Sequence, residues 1–305
     1  MNTSFDGLRE VSAQGLTKIG GGISGSVYAL NDEQILKVYA DSVTYEEVSH
    51  LYDVSVFLDK NGIKTAKAYE IVNADGVYGI IQQYIDGEAL PKLIANGAIS
   101  RQEAAQRMGE LLNRLHDIEP DHKILPTLDT MFGGLLDRCG DRLNKLEKKS
   151  MAQSIGRLSC GEVILHGDFH ENNIMVKDNE FYLIDLDSVC IGSPLFEFLQ
   201  IFCVYQNDIP VEMQEALHLG PEDVTAFLRK MLEVYFHTTD NSIIDKWVDI
   251  FSHMGNFNRF LAHFLMARGD EDGQLRRYAA ENLEKVTREL EEAAEACSGL
   301  EYRWK

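Results

Sequence analysis

The chain has 305 residues, 45% of them hydrophobic and 26% charged, which is the composition of an ordinary globular protein and excludes wholesale disorder. Its 49 acids against 29 bases give a net charge of −20, which argues against a general nucleic-acid binder and against an anionic membrane surface, since both need basic patches. The length suits about two domains or one two-lobed unit. Five cysteines with no CxxC pair imply neither a disulfide framework nor a zinc ribbon. Met1 to Gly15 has no apolar signal core, and the longest apolar runs, such as Leu199–Tyr205, are far shorter than a membrane span. A soluble chain in the reducing cytoplasm, without nucleic-acid or membrane partners, is the expectation. Its oligomeric state is not legible.

Residues 16–85 read as strands and hairpins. Ser26–Leu30 and Gln34–Tyr39 flank the turn Asn31-Asp32-Glu33, and Ala68–Val72 and Val77–Tyr84 flank Asn73-Ala74-Asp75-Gly76. One helix, from about Val43 to Lys60, interrupts them and stops at Asn61-Gly62. After Asp86-Gly87 the chain turns mostly helical. Ser100-Arg101-Gln102-Glu103 has the pattern of a capping box, followed by Ala104, Met108, Leu111, Leu112 and Leu115 at helical spacing. Further helical stretches fall at 222–236, 242–268 and 274–297. Between them, 161–187 reads as strand, polar loop and two more strands. The expected division is a β-rich lobe over 1–85 and a larger helical lobe over 86–305, joined near Gln83–Gly87.

Ile19-Gly20-Gly21-Gly22-Ile23-Ser24-Gly25-Ser26-Val27 contains G-x-G-x-x-G-x-V, with Gly20, Gly22 and Gly25 as its glycines. Such a backbone can approach phosphate oxygens and donate N–H groups to them. A dinucleotide fold would require a helix directly after the glycines, whereas a strand and hairpin follow. A phosphate loop of G-x-x-x-x-G-K type would require Lys where Ser26 stands. A kinase-type glycine loop requires a strand lysine downstream, and Lys37 in Ile35-Leu36-Lys37-Val38-Tyr39 supplies it. A plain flexible turn is the alternative. An inward-pointing Lys37 needs an anionic partner. Glu47 shares a helix face with Leu51, Val54 and Leu58 and is the better candidate of the pair Glu46 and Glu47. The alternative is that both are helix N-terminal acids favoured by the dipole.

The most informative stretch is Val163-Ile164-Leu165-His166-Gly167-Asp168-Phe169-His170-Glu171-Asn172-Asn173-Ile174, which sets H-x-D-x-x-x-x-N between two apolar strands. Leu183-Ile184-Asp185-Leu186-Asp187 then ends another. Phosphoryl transfer to an alcohol needs a carboxylate to take the hydroxyl proton and oxygen ligands for a divalent cation. Asp168 fits the first role, and Asn173 with Asp185 the second. A transition-metal site at His166, Asp168 and His170 would leave the Asn and the later Asp unexplained. A polar turn with capping Asp and Asn would leave the ordered series of five elements unexplained.

This order of glycine loop, strand lysine, H-G-D-x-x-x-x-N and I-D-x-D resembles the aminoglycoside phosphotransferase and choline kinase group, over roughly residues 16–200. The resemblance implies an α+β, bilobal protein-kinase-like fold and an ATP-dependent kinase acting on a hydroxyl of a small acceptor. It further implies Asp168 as catalytic base, Asn173 and Asp185 as Mg2+ ligands, and Lys37 on the α- and β-phosphates. Gln82-Gln83-Tyr84-Ile85-Asp86-Gly87 is similar to the hinge, with the backbone of Gln83 and Ile85 meeting adenine. Two departures are visible. The family's helix Glu lies nearer Leu51 to Asp53, and its Asp-Leu-Ala-like segment is Phe196-Glu197-Phe198 here. Gly167 replaces the Arg usual in protein kinases, so regulation by loop phosphorylation is not expected. A non-catalytic ligand-binding protein and a protein kinase are the rival readings. Residues 161–200 carry eight acids against one base, Lys177, which leans toward a cationic acceptor.

Overall fold

The structure is a computed structural model and describes residues 5–21, 25–130, 145, 148–149, 152–153, 161–205, 221–252 and 288. Most of residues 138–160, which carry six bases against two acids, residues 253–268 of one expected helix and nearly all of 274–297 lie outside these. The chain divides into two compact units. One comprises Met1–Leu90 with Asn172–Asp187, the other Pro91–Glu171 with Ser188–Lys305. The first unit therefore reaches a few residues past the hinge-like segment and also takes in a stretch from far along the chain.

The first unit is built on strands β1 (Arg9–Val11), β2 (Thr17–Gly21), β3 (Gly25–Ala29), β4 (Gln34–Tyr39), β5 (Ala68–Ala74) and β6 (Val77–Gln83). They form one sheet in the order β1-β5-β6-β4-β3-β2, all pairs antiparallel except β1 with β5. Helix α1 (Tyr45–Lys60) connects β4 to β5. Side chains alternate across a strand, so neighbours in sequence serve opposite faces. Ile80 joins Tyr39, Ala68, Tyr78 and the helix residue Val48 in one buried cluster, while Ile81 joins Leu36, Val72 and Ala74 in another. Lys37 lies opposite Ile80 in the β4–β6 register. It is therefore carried on the face that α1 covers, with Tyr39 two residues on.

The helix begins at a full capping box. The Thr44 hydroxyl accepts from the Glu47 N–H, and the Glu47 carboxylate accepts from the Thr44 N–H at 2.8 Å. A second, three-stranded sheet in the order β10-β9-β7 belongs to the same unit, from β7 (Glu88–Ala89), β9 (Ile174–Lys177) and β10 (Glu180–Leu183).

In the second unit, α2 (Leu90–Ala95), whose first residue belongs to the first unit, leads to α3 (Arg101–His116). Ala104, Met108, Leu111, Leu112 and Leu115 form its buried stripe, as their spacing predicts. Only half of the expected capping box is made. Ser100 accepts from the Glu103 N–H, whereas the Glu103 carboxylate pairs with Arg107. Strand β8 (Val163–Leu165) pairs with β11 (Cys190–Gly192). Helices α4 (Leu195–Tyr205) and α5 (Pro221–Tyr235) follow, and residues 241–252 are helical. Their core is aromatic: Phe198 stacks on Phe251 with centroids 4.4 Å apart, and Phe236 stacks on Trp247 at 4.6 Å. No helix among the described residues is long and apolar enough to cross a membrane.

Candidate functional site

The first unit contains a cavity of about 610 Å3. Its lining begins with Gly20, Gly21 and Gly25 of the β2–β3 hairpin and continues with Lys37 and Tyr39 of β4 and Leu51 of α1. The segment Gln82–Ile85, Asn173 and the run Leu183–Asp187 complete it. Apolar walls with a few convergent polar groups are the usual make-up of a small-molecule site.

Gly20 is roomy, whereas a side chain at Gly25 would collide with the Val38 carbonyl of β4. The last glycine of the motif is thus required by strand packing. Gly22, the middle one, lies outside the described residues. At the hinge-like segment, the Gln83 N–H donates to the Lys67 carbonyl at 2.8 Å, and the Ile85 carbonyl accepts from the Gly87 N–H at 2.8 Å. Among the described residues, the buried Ile85 N–H donates to no other group.

The Lys37 ammonium lies 3.0 Å from Asp187, 3.6 Å from Asp185 and 5.2 Å from the centre of the Tyr39 ring. Burial and the two carboxylates push the Tyr39 hydroxyl far above its ordinary pKa, so it stays protonated. The expected Lys37–Glu47 pair is not what the structure places here. Glu47 is exposed and its carboxylate is held by Thr44 in the capping box, so Glu47 serves the helix end and not the lysine. The pattern Thr44-x-x-Glu47 was the local signal for this.

Asn173 closes a 3-10 turn (Glu171–Asn173) and its carbonyl accepts from the Ile184 N–H at 3.0 Å, tying it to the segment that carries Asp185. Asp185 has φ 57°, in the left-handed region that few non-glycine residues adopt. Such a conformation is held only where surrounding structure enforces it. The pair Asn173 and Asp185 offers an amide and a carboxylate oxygen. Among the described residues no group of three His, Cys, Asp or Glu could hold a metal by itself. That donor set fits Mg2+, which takes one or two carboxylates and completes its shell with phosphate oxygens and water.

Asp168 is carried in the second unit, on the loop after β8. Its N–H lies 3.3 Å from the His166 Nδ1, and its carboxylate lies 3.4 Å from the His170 Nε2. The loop is held from beneath by Glu197, which is fully buried. Its carboxylate accepts from the backbone N–H of His166 at 2.6 Å and of Gly167 at 3.1 Å. It also faces the His116 Nε2 at 3.6 Å, and His116 Nδ1 meets the Tyr235 hydroxyl at 2.6 Å. Phe196-Glu197-Phe198 is thereby explained: the apolar neighbours bury the helix and the acid between them anchors the loop. The signal was a lone acid in the apolar run Pro194–Tyr205. Gly167 has φ 77°, and a side chain there would collide with the Ser188 carbonyl. Glycine is required at that position by backbone geometry. Burial raises the Glu171 carboxyl to about 7, with His170 opposing the shift, and raises the Cys190 thiol to about 12.

Residues 15–231 match the profile of the phosphotransferase enzyme family (APH). No curated protein matches the chain. The fold is kinase-like. The ADP-bound crystal structure of aminoglycoside phosphotransferase APH(2'')-Ib superposes with a TM-score of 0.60 at 15% identity, covering 92% of this chain and 94% of that one. The streptomycin–ATP ternary complex of APH(2")-IIa gives 0.60 at 16%, covering 90% and 92%. An ethanolamine kinase of Plasmodium vivax gives 0.58 at 15%, covering 90% and 83%.

Proposed function

Because the chain belongs to the phosphotransferase enzyme family, we propose that it is an ATP-dependent kinase that transfers the γ-phosphate to a hydroxyl of a small cationic acceptor. The observation that carries this reading is the cavity, whose lining brings Ile85, of the segment that would meet a purine base, together with Lys37, Asn173 and Asp185, a set suited to phosphates and their cation. Lys37 holds phosphate oxygens. Asn173 and Asp185 would hold Mg2+, which would neutralise phosphate charge when bound.

Asp168 orients the acceptor hydroxyl and takes its proton as the oxygen bonds to the γ-phosphorus. The bond from that phosphorus to the bridging oxygen breaks, and ADP leaves with the electron pair. Most of the acceleration comes from positioning and charge neutralisation, with no covalent intermediate on the protein. The cationic acceptor is supported by the acidic stretch 161–200 and by the amine-bearing compounds in the names of the fold relatives, streptomycin and ethanolamine.

A panel of hydroxyl compounds screened for ATP turnover tests the reading, with Asp168→Asn as the control. An amine-bearing alcohol should react, and Asp168→Asn should lower kcat by about a hundredfold or more while ATP still binds. Unchanged turnover in Asp168→Asn would remove the base assignment. A panel in which only anionic compounds react would overturn the acceptor class.

A further inference from the structure

The second carboxylate of the I-D-x-D motif has no part in the reaction as described above, and the strand lysine lacks the helix partner that its motif requires. Both facts have one explanation. We propose that Asp187 is the fixed counter-ion of Lys37 and the positioning residue that holds the ammonium at the phosphate end of the cavity. The nucleotide part of this inference rests on the phosphotransferase reading.

Lys37 lies on the face of the sheet that α1 covers, and its side chain is only 14% exposed. An ammonium so placed needs an anion. Helix α1 contributes Leu51 to the cavity, which cannot serve, and the Glu47 carboxylate is held at the helix end by Thr44. Two carboxylates reach the lysine instead. Asp187 is nearer, at 3.0 Å against 3.6 Å, and better shielded, with 28% side-chain exposure against 49% for Asp185. A shorter and less solvated pair is the stronger one. Asp187 sits within a one-turn 3-10 helix (Leu186–Ser188), which fixes its backbone. The Tyr39 ring, 5.2 Å from the ammonium, closes a third side.

The two aspartates therefore divide their work. Asp187 keeps Lys37 oriented, and Asp185 stays available to a cation because the lysine does not depend on it alone. The left-handed backbone at Asp185 and the 3-10 turn that follows it are what carry two carboxylates to the lysine from one short segment.

A double-mutant cycle on the full chain tests this. ADP affinity is measured by titration calorimetry in EDTA, so that no metal contributes, for Asp187→Asn, Lys37→Met and the double variant. Asp187→Asn should weaken ADP about fivefold or more, and should not weaken it further in the Lys37→Met background. Equal weakening in both backgrounds would overturn the proposal, because Asp187 would then act without the lysine. No weakening in either background would overturn it too. Glu47→Gln should leave ADP affinity within twofold; a loss as large as that of Asp187→Asn would restore the helix acid as the partner.

Thermal unfolding of the same variants reads the pair without any nucleotide. The double variant should lose less Tm than the sum of the single losses, and additive losses would overturn the pairing. If the wild-type chain binds no nucleotide at all, the phosphotransferase reading fails, while the unfolding cycle still decides whether Lys37 and Asp187 form a coupled pair.

Discussion

The Glu197 carboxylate accepts the backbone N–H of His166 at 2.6 Å from a fully buried position in α4, so the loop that carries Asp168 is suspended from a helix that follows it by some thirty residues. Two backbone N–H groups donate to this one carboxylate, and the His116 Nε2 faces it at 3.6 Å. Removing the acid leaves those donors without an acceptor, which is the costly direction for a buried network. Glu197→Ala should lower stability by about 3–5 kcal/mol in urea unfolding. Glu197→Gln keeps one acceptor oxygen and should lose less, about 1–3 kcal/mol. Its kcat should fall more than its KM for ATP rises, since the loop is disturbed and the cavity is not. An unperturbed Glu197→Ala would show that the loop is held by other contacts.

Asp185→Ala should abolish the Mg2+ dependence of nucleotide binding. The measurement is ATP affinity with and without Mg2+: the wild type should bind more tightly with the metal, and the variant should show the same affinity in both. A preserved metal effect would take Asp185 out of the cation site.

Thr44→Ala removes the hydroxyl of the α1 capping box and should cost about 1 kcal/mol of stability. ADP affinity should stay within twofold of the wild type, because the box lies at an exposed helix end and Lys37 takes its partner elsewhere. A large loss of ADP affinity in Thr44→Ala would tie the helix start to the cavity after all.

Glu171 gives the pH dependence. Its folded pKa of about 7 lies above the ordinary value of 4.5, because burial disfavours the charged form. Between those values the folded state keeps a proton that the unfolded state has released. The stabilisation is complete below pH 4.5 and is lost as pH rises through about 7. Wild-type stability measured in EDTA should thus fall by about 3 kcal/mol more than that of Glu171→Gln between pH 4.5 and pH 8. Parallel pH profiles for the two proteins would contradict this.

Local signals in the chain carried much of the fold and the candidate site. Alternation placed β4 and the inward side of Lys37, and the helical period placed the buried stripe of α3. Asn173 and Asp185, singled out by the motif spacing, both line one cavity. These are short-range patterns, and the forces behind them act within a few residues: staggered side chains, turn geometry and strand periodicity.

Glu47 shows where a local signal was present and a longer-range requirement outweighed it. The motif demanded an acid for Lys37, while Thr44, three residues before Glu47, already claimed the carboxylate. The lysine's partner stands 150 residues away, at Asp187, and Glu197 reaches back 31 residues to the His166 N–H. No periodicity records such pairs, because they depend on how separate elements pack and on which buried charge finds which donor. The sequence by itself determined the groups available and their order: an amine on β4, a carboxylate on the H-G-D loop, and an amide and a second carboxylate after it. Tertiary structure alone decided what holds each of them in place, because the cost of a buried charge is settled only by the neighbours that folding brings to it.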